Sequence, residues 1–172
     1  MKLEIKKDCS LLLKPTEKFN FQIPSLNIID FAESLVALMI EKNGFGLAAN
    51  QVGFPYSIFA IRGEPENFVL INPRIVHHST ETNTDLEGCL SYPGLGVKQP
   101  RFNEVRVRFC APDGKTYTKL FKGLSARVIQ HEMDHLNGIP WWSGVSKLKF
   151  DIAVRNAHKR HWDYSKLTYK GI

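Results

Sequence analysis

Two stretches of the chain carry apolar residues at helical spacing. In the first, Ile28, Phe31, Ala32, Leu35 and Met39 share one face. Asn27 suits an N-cap and Gly44 a stop, which predicts a helix from about Asn27 to Asn43. The second runs from about Leu124 to Asn137 and stops at Gly138. Between them the period changes. YSIFAI (56–61) and FVLINPRIV (68–76) are short apolar runs of strand character. From Glu104 to Ala111 the alternation is clean: Val105, Val107 and Phe109 point one way, Arg106, Arg108 and Cys110 the other. Pro112-Asp113-Gly114 is a turn signal, and KTYTKLF returns as the second arm of an antiparallel hairpin. GFGLAANQVG has no period and, taken alone, reads as a glycine-rich loop. Strands without regular βαβ alternation, and no internal repeat, place the chain in the α+β class.

Composition narrows the setting. The 172 residues fit one domain with a core of its own. The formal net charge is +6, which fits an anionic partner such as RNA but is explained more simply by a solvated basic surface. Three cysteines, Cys9, Cys89 and Cys110, argue against a disulfide framework and fit a reducing compartment. Leu11 to Leu13 is too short for the apolar core of a signal peptide, and Glu4 and Asp8 do not suit a transit peptide. No stretch approaches the ~20 apolar residues of a membrane span. A cytoplasmic protein is expected.

The late helix carries the chemistry. Its QHEMDH segment (130–135) places His131 and His135 one turn apart on one face. At about 100° per residue, Leu124, Val128 and His135 fall within about 60° of His131. Glu132, Ser125, Leu136, Ile129 and Met133 continue the arc, while Arg127, Asp134, Gln130 and Asn137 fill the opposite side. Both histidines and Glu132 therefore lie on a wide, buried face. A single histidine there reads as core. Two at this spacing, beside a carboxylate that is costly to bury unpaired, read as a metal site. In H-E-x-x-H the imidazoles hold the ion and the glutamate moves protons for its water.

A catalytic site of this kind takes three protein ligands and keeps one open position. His158 and His161 lie in the basic tail and read as surface residues. Cys89, preceded by a glycine in LEGCLSYPG, is the better third ligand; Cys9 and Cys110 are weaker ones. A Cys-His-His set suits Fe2+, Zn2+, Co2+ or Ni2+.

GFGLAANQ (44–51), EGCLS (87–91) and QHEMDH (130–135), in that order, resemble the peptide deformylase family, with similarity from about Leu11 to Pro140. The resemblance implies small antiparallel sheets around a central helix that bears the two histidines. It implies a metallohydrolase that removes the N-formyl group from the formyl-methionine of new polypeptides and releases formate. Cys89, His131 and His135 then hold the metal, with ferrous iron as the usual ion. Glu132 is the general acid and base, and Gln51 with the Leu90 backbone N–H stabilises the oxyanion. Gly44 and Gly46 admit an extended peptide, with Gly46 pairing to its backbone. Phe45, Leu124 and Val128 border the methionine pocket. Two features depart from the family pattern: Asn50 stands where proline or threonine is usual, and Trp141-Trp142 lies where an acidic-basic pair is common.

Two other readings compete. A metallopeptidase would share H-E-x-x-H, but EGCLS and GLAANQ argue against it. A basic module with structural zinc would need a fourth ligand, and only three are found. The expected division is a catalytic domain over 1–150 and a basic tail over 151–172. From Ser146 onward, Lys147, Lys149, Arg155, Lys159, Arg160, Lys166 and Lys170 face only Asp151 and Asp163. Such a tail either recruits the enzyme to ribosomal RNA or is a solvated helix packed by Leu148, Ile152 and Trp162.

Overall fold

The computed structural model describes residues 1–6 and 10–169; Cys9 and Lys170 lie outside them. The fold is α+β with two antiparallel sheets. Helix α1 spans Ile28–Glu41, α2 spans Gly123–Leu136 and α3 spans Lys147–His158. Strands β1 (Gly46–Ala48), β2 (Ile58–Ile61), β3 (Phe68–His78), β6 (Glu104–Cys110) and β7 (Thr116–Lys122) form one sheet in the order β1-β2-β3-β6-β7. Strands β4 (Thr82–Cys89) and β5 (Tyr92–Phe102) form a separate two-stranded ribbon.

The caps follow the sequence. The Asn27 side chain accepts from the backbone N–H of Ile29 and Asp30 and starts α1. Asn43, at φ 54°, turns the chain out of α1 one residue ahead of the expected Gly44. Helix α2 ends in a Schellman turn: Ile139 N donates to Asp134 O at 2.9 Å and Gly138 N to His135 O at 3.3 Å. Gly138 is required twice over. Its φ is +68°, and a Cβ there would lie 2.6 Å from the backbone carbon of Lys14.

Helix α2 packs against β1, β2, β5, β6 and β7, so both sheets hold it. Ala126 and Ile129 join Phe59, Leu70, Val107 and Phe121 in one core. A second core gathers Phe31, Leu35 and Met39 of α1 against Leu47, Ile58 and Ile71. The third holds the tail: Trp141, Trp142 and Phe150 pack with Leu12, Tyr92 and Leu95.

Three expectations change. The β4–β5 ribbon is absent from the sequence reading because TNTDLEGC is exposed at nearly every position and shows no alternation. Half of the polar side of α2 does not face water: Arg127 and Gln130 are buried, while Leu124, on the apolar arc, is 56% exposed. Gln130 exchanges hydrogen bonds with the Phe102 backbone at 3.0 and 2.9 Å, which satisfies a buried amide. Finally, α3 packs through Phe150, Ala153 and Ala157, whereas Leu148, Ile152 and Trp162 are exposed. The boundary drawn at residue 150 falls inside this helix. No helix among the described residues is long and apolar enough to cross a membrane.

Candidate metal centre

The three proposed ligands meet where the end of β4 reaches α2. Cys89 Sγ, one imidazole nitrogen of His131 and one of His135 all lie within 4.8 Å of one another. Cys89 Sγ is 3.3 Å from His135 Nε2. Burial, and then the neighbouring His131, hold the His135 imidazole well below its ordinary pKa, which keeps it neutral and able to ligate.

Each histidine is held from behind. His131 Nδ1 bonds Glu87 Oε2 at 3.1 Å, which leaves Nε2 for the centre. The Trp141 ring lies 5.2 Å from the His131 ring and covers it. Asn50, the departure noted above, donates its amide to His135 O at 2.7 Å and so fixes the last turn of α2.

Glu87 is the hub of a buried ionic cluster. Arg101 binds it through Nε at 2.9 Å and Nη2 at 3.0 Å, and Arg127 Nη1 binds it at 2.7 Å. Arg101 also reaches Asp134 Oδ2 at 2.7 Å. Burial raises the Glu87 pKa, but hydrogen bonds from His131 and Arg101 and their charges outweigh it and hold the carboxyl at about 2. Glu87 lies in the quoted EGCLS motif, yet no pattern along the chain marks it as functional. Its partners come from β5 and α2, so the one local hint was an arginine four residues before His131. Glu87→Gln is expected to lower metal affinity roughly 10- to 100-fold and to destabilise the fold by about 3–5 kcal/mol. Chelator competition and thermal unfolding measure the two; parental metal affinity in the variant would remove Glu87 from the site's support.

Glu132 is 3% exposed, and its Oε2 has no hydrogen-bond partner among the described residues. Burial, then the negative charges of Glu87 and Asp134, push its carboxyl well above the ordinary range. A buried, unpartnered carboxylate oxygen beside a soft thiolate and two imidazoles fits a divalent cation, whose charge offsets that cost. Gly46 makes room for it: a Cβ there would fall onto Glu132 Oε1 and lie 2.7 Å from Val128 Cγ1.

The remaining candidate residues share one cavity of about 480 Å3. Gly44, Phe45, Gly46, Leu124 and Val128 line it, as do Gln51, Cys89, Leu90, His131 and Glu132. Gln51 Oε1 accepts from Ala48 N at 2.8 Å, which turns Nε2 toward Ser91 Oγ at 3.0 Å and Cys89 Sγ at 3.5 Å. Strand β1 pairs with β2 on one side only and forms the edge of its sheet beside the cavity. Cys110 lies away from the centre, on the strand that pairs with β7, and His158 accepts from Tyr164 N at 3.0 Å in the tail.

The polypeptide deformylase family model matches residues 4–151. A peptide deformylase of Brucella suis biovar 1 (strain 1330) is 37% identical over 151 residues, covering 85% of this chain and 83% of its own length. Among solved structures, a peptide deformylase from Synechococcus elongatus in complex with actinonin has a TM-score of 0.82 at 30% identity. It covers 96% of this chain and 90% of its own. The Met-Ala-Ser-bound class I type b peptide deformylase from Acinetobacter baumannii has a TM-score of 0.76 at 30% identity, over 84% and 99% of the two chains.

Proposed function

This chain belongs to the peptide deformylase family, metallohydrolases that remove the N-formyl group from nascent polypeptides, and we propose that Cys89, His131 and His135 hold its one divalent metal, ferrous iron, with Glu132 as the proton-transfer group. The observation that carries this is the meeting of three ligand atoms within 4.8 Å beside an unpartnered carboxylate oxygen. When bound, the ion supplies Lewis acidity to a water and to the formyl carbonyl.

The chain's own residues do the rest. The edge of β1 pairs with the extended substrate backbone at Gly46, as an added strand. Phe45, Leu124 and Val128 enclose the methionine side chain. Glu132 Oε2 takes a proton from the attacking water and returns it to the methionine amine as formate leaves. The Leu90 N–H and the Gln51 amide stabilise the developing oxyanion. The Gln51 proton aimed along the long 3.5 Å contact to Cys89 Sγ is the one it can share. Anaerobically prepared protein should release formate from formyl-Met-Ala-Ser and carry one iron per chain. Cleavage of unblocked peptides without formate release would favour a peptidase instead.

The same reading places the enzyme in the cytoplasm, at ribosomes. The exposed cations Lys149, Arg155, Lys159 and Lys166 support recruitment to ribosomal RNA by counterion release. Truncation after Phe150 is a poor test, because it removes the buried Ala153 and Ala157. Changing those four cations to glutamine is expected to weaken ribosome co-sedimentation at low salt; equal co-sedimentation would leave the tail a purely packing role.

A further inference from the structure

The tail does more than close the third core. Arg160, just past the end of α3, lines the active-site cavity together with Gly94 and Gly96 of β5. Its backbone is pinned there: Arg160 N donates to Ala157 O at 2.9 Å and Trp162 N to the same oxygen at 3.1 Å. The following turn is seated on β5. Gly94, at φ +78°, lets the Trp162 indole lie where a Cβ would fall, and Tyr164 OH donates to Pro93 O at 2.6 Å.

Charge around the cavity is uneven. Glu87 and Arg127 are buried and bonded to each other, and Glu132 is buried beside the metal ligands. Arg160 is the exposed charge of the lining, and its guanidinium has no ion pair or hydrogen bond to the described residues. An exposed, unpaired cation over a cleft that takes a peptide has one obvious class of ligand on that peptide.

Resting on the reading that the formyl-peptide occupies this cleft, we propose that Arg160 binds a side-chain carboxylate within the first few residues after the formyl-methionine, so that this enzyme favours acidic over basic nascent N-termini. At about 3.3 Å per extended residue, two or three residues span roughly 7–10 Å, the scale of a cavity of about 480 Å3. The contact forms equally in the bound substrate and at the transition state, so it acts on KM and leaves kcat alone.

The test compares formyl-Met-Ala-Glu and formyl-Met-Ala-Lys, both capped as C-terminal amides, on the metal-loaded enzyme. The parental protein should favour the Glu peptide by roughly two- to fivefold in kcat/KM, the scale of an exposed ion pair. The preference should lie in KM and fade as salt rises. Arg160→Gln should level the ratio and Arg160→Glu should invert it. A ratio that is the same in parental, Gln and Glu proteins overturns the assignment. So does a preference seen with free-acid peptides alone, since that reports a terminal carboxylate. Absence of formate from every peptide would overturn the placement of the substrate, and this inference with it; a levelled ratio with formate still released tells the two failures apart.

Discussion

Cys89→Ala is expected to leave the protein without stoichiometric metal and to cut formate release by more than roughly 100-fold, the upper end of what loss of a merely supporting residue costs. The thiolate is the anionic member of the ligand set, and it alone comes from outside α2. Without it two imidazoles on one helix remain, with no charge to hold the ion and no third point to fix its position. Folding should survive, because Cys89 is only partly buried at the end of β4 and touches the third core only from its edge. Cys89→Asp restores an anionic ligand and should recover metal without the parental rate. Metal analysis after dialysis, beside formate assays, decides it. Full metal and activity in the alanine protein would mean that the ion is held elsewhere.

Legibility of this fold tracked the distance over which its determinants act. Helix α1 and the β6–β7 hairpin could be read because their patterns are local: an N-cap at Asn27, alternation from Val105 to Phe109 and a turn at Asp113-Gly114. The spacing of His131 and His135 was local too, and it pointed to one helix face. The β4–β5 ribbon was not readable, since an exposed strand carries no apolar period. Arg127 and Gln130 looked like a solvent stripe because their partners, Glu87 and the Phe102 backbone, lie dozens of residues away in the chain. Arg160 depended on still less local features: a glycine at position 94 that admits Trp162, and a tyrosine at 164 that reaches Pro93. Residues that support a site are assembled by tertiary contacts, and a single sequence records each contact from one side only.

The ligand cluster and the base make separable demands, and Glu132 separates them. Glu132→Gln keeps the shape of the side chain and removes its capacity to take a proton. Glu132 is not one of the three ligands, Cys89, His131 and His135, so one metal per chain should remain. Gln also replaces a carboxylate whose burial is costly with a neutral amide, so the fold loses nothing by the exchange. Turnover is another matter. Glu132 Oε2 is a buried carboxylate oxygen at the centre with no partner among the described residues, whereas Glu87 is consumed by Arg101, Arg127 and His131. Glu87, the other carboxylate of the cavity lining, is held in those bonds and cannot take its place. General acid–base transfer is worth roughly 10²- to 10⁴-fold, and kcat should fall by that factor while KM for the formyl-peptide moves little. A glutamine variant that binds metal and deformylates at the parental rate would show that the proton travels by another path, and that the cluster alone suffices.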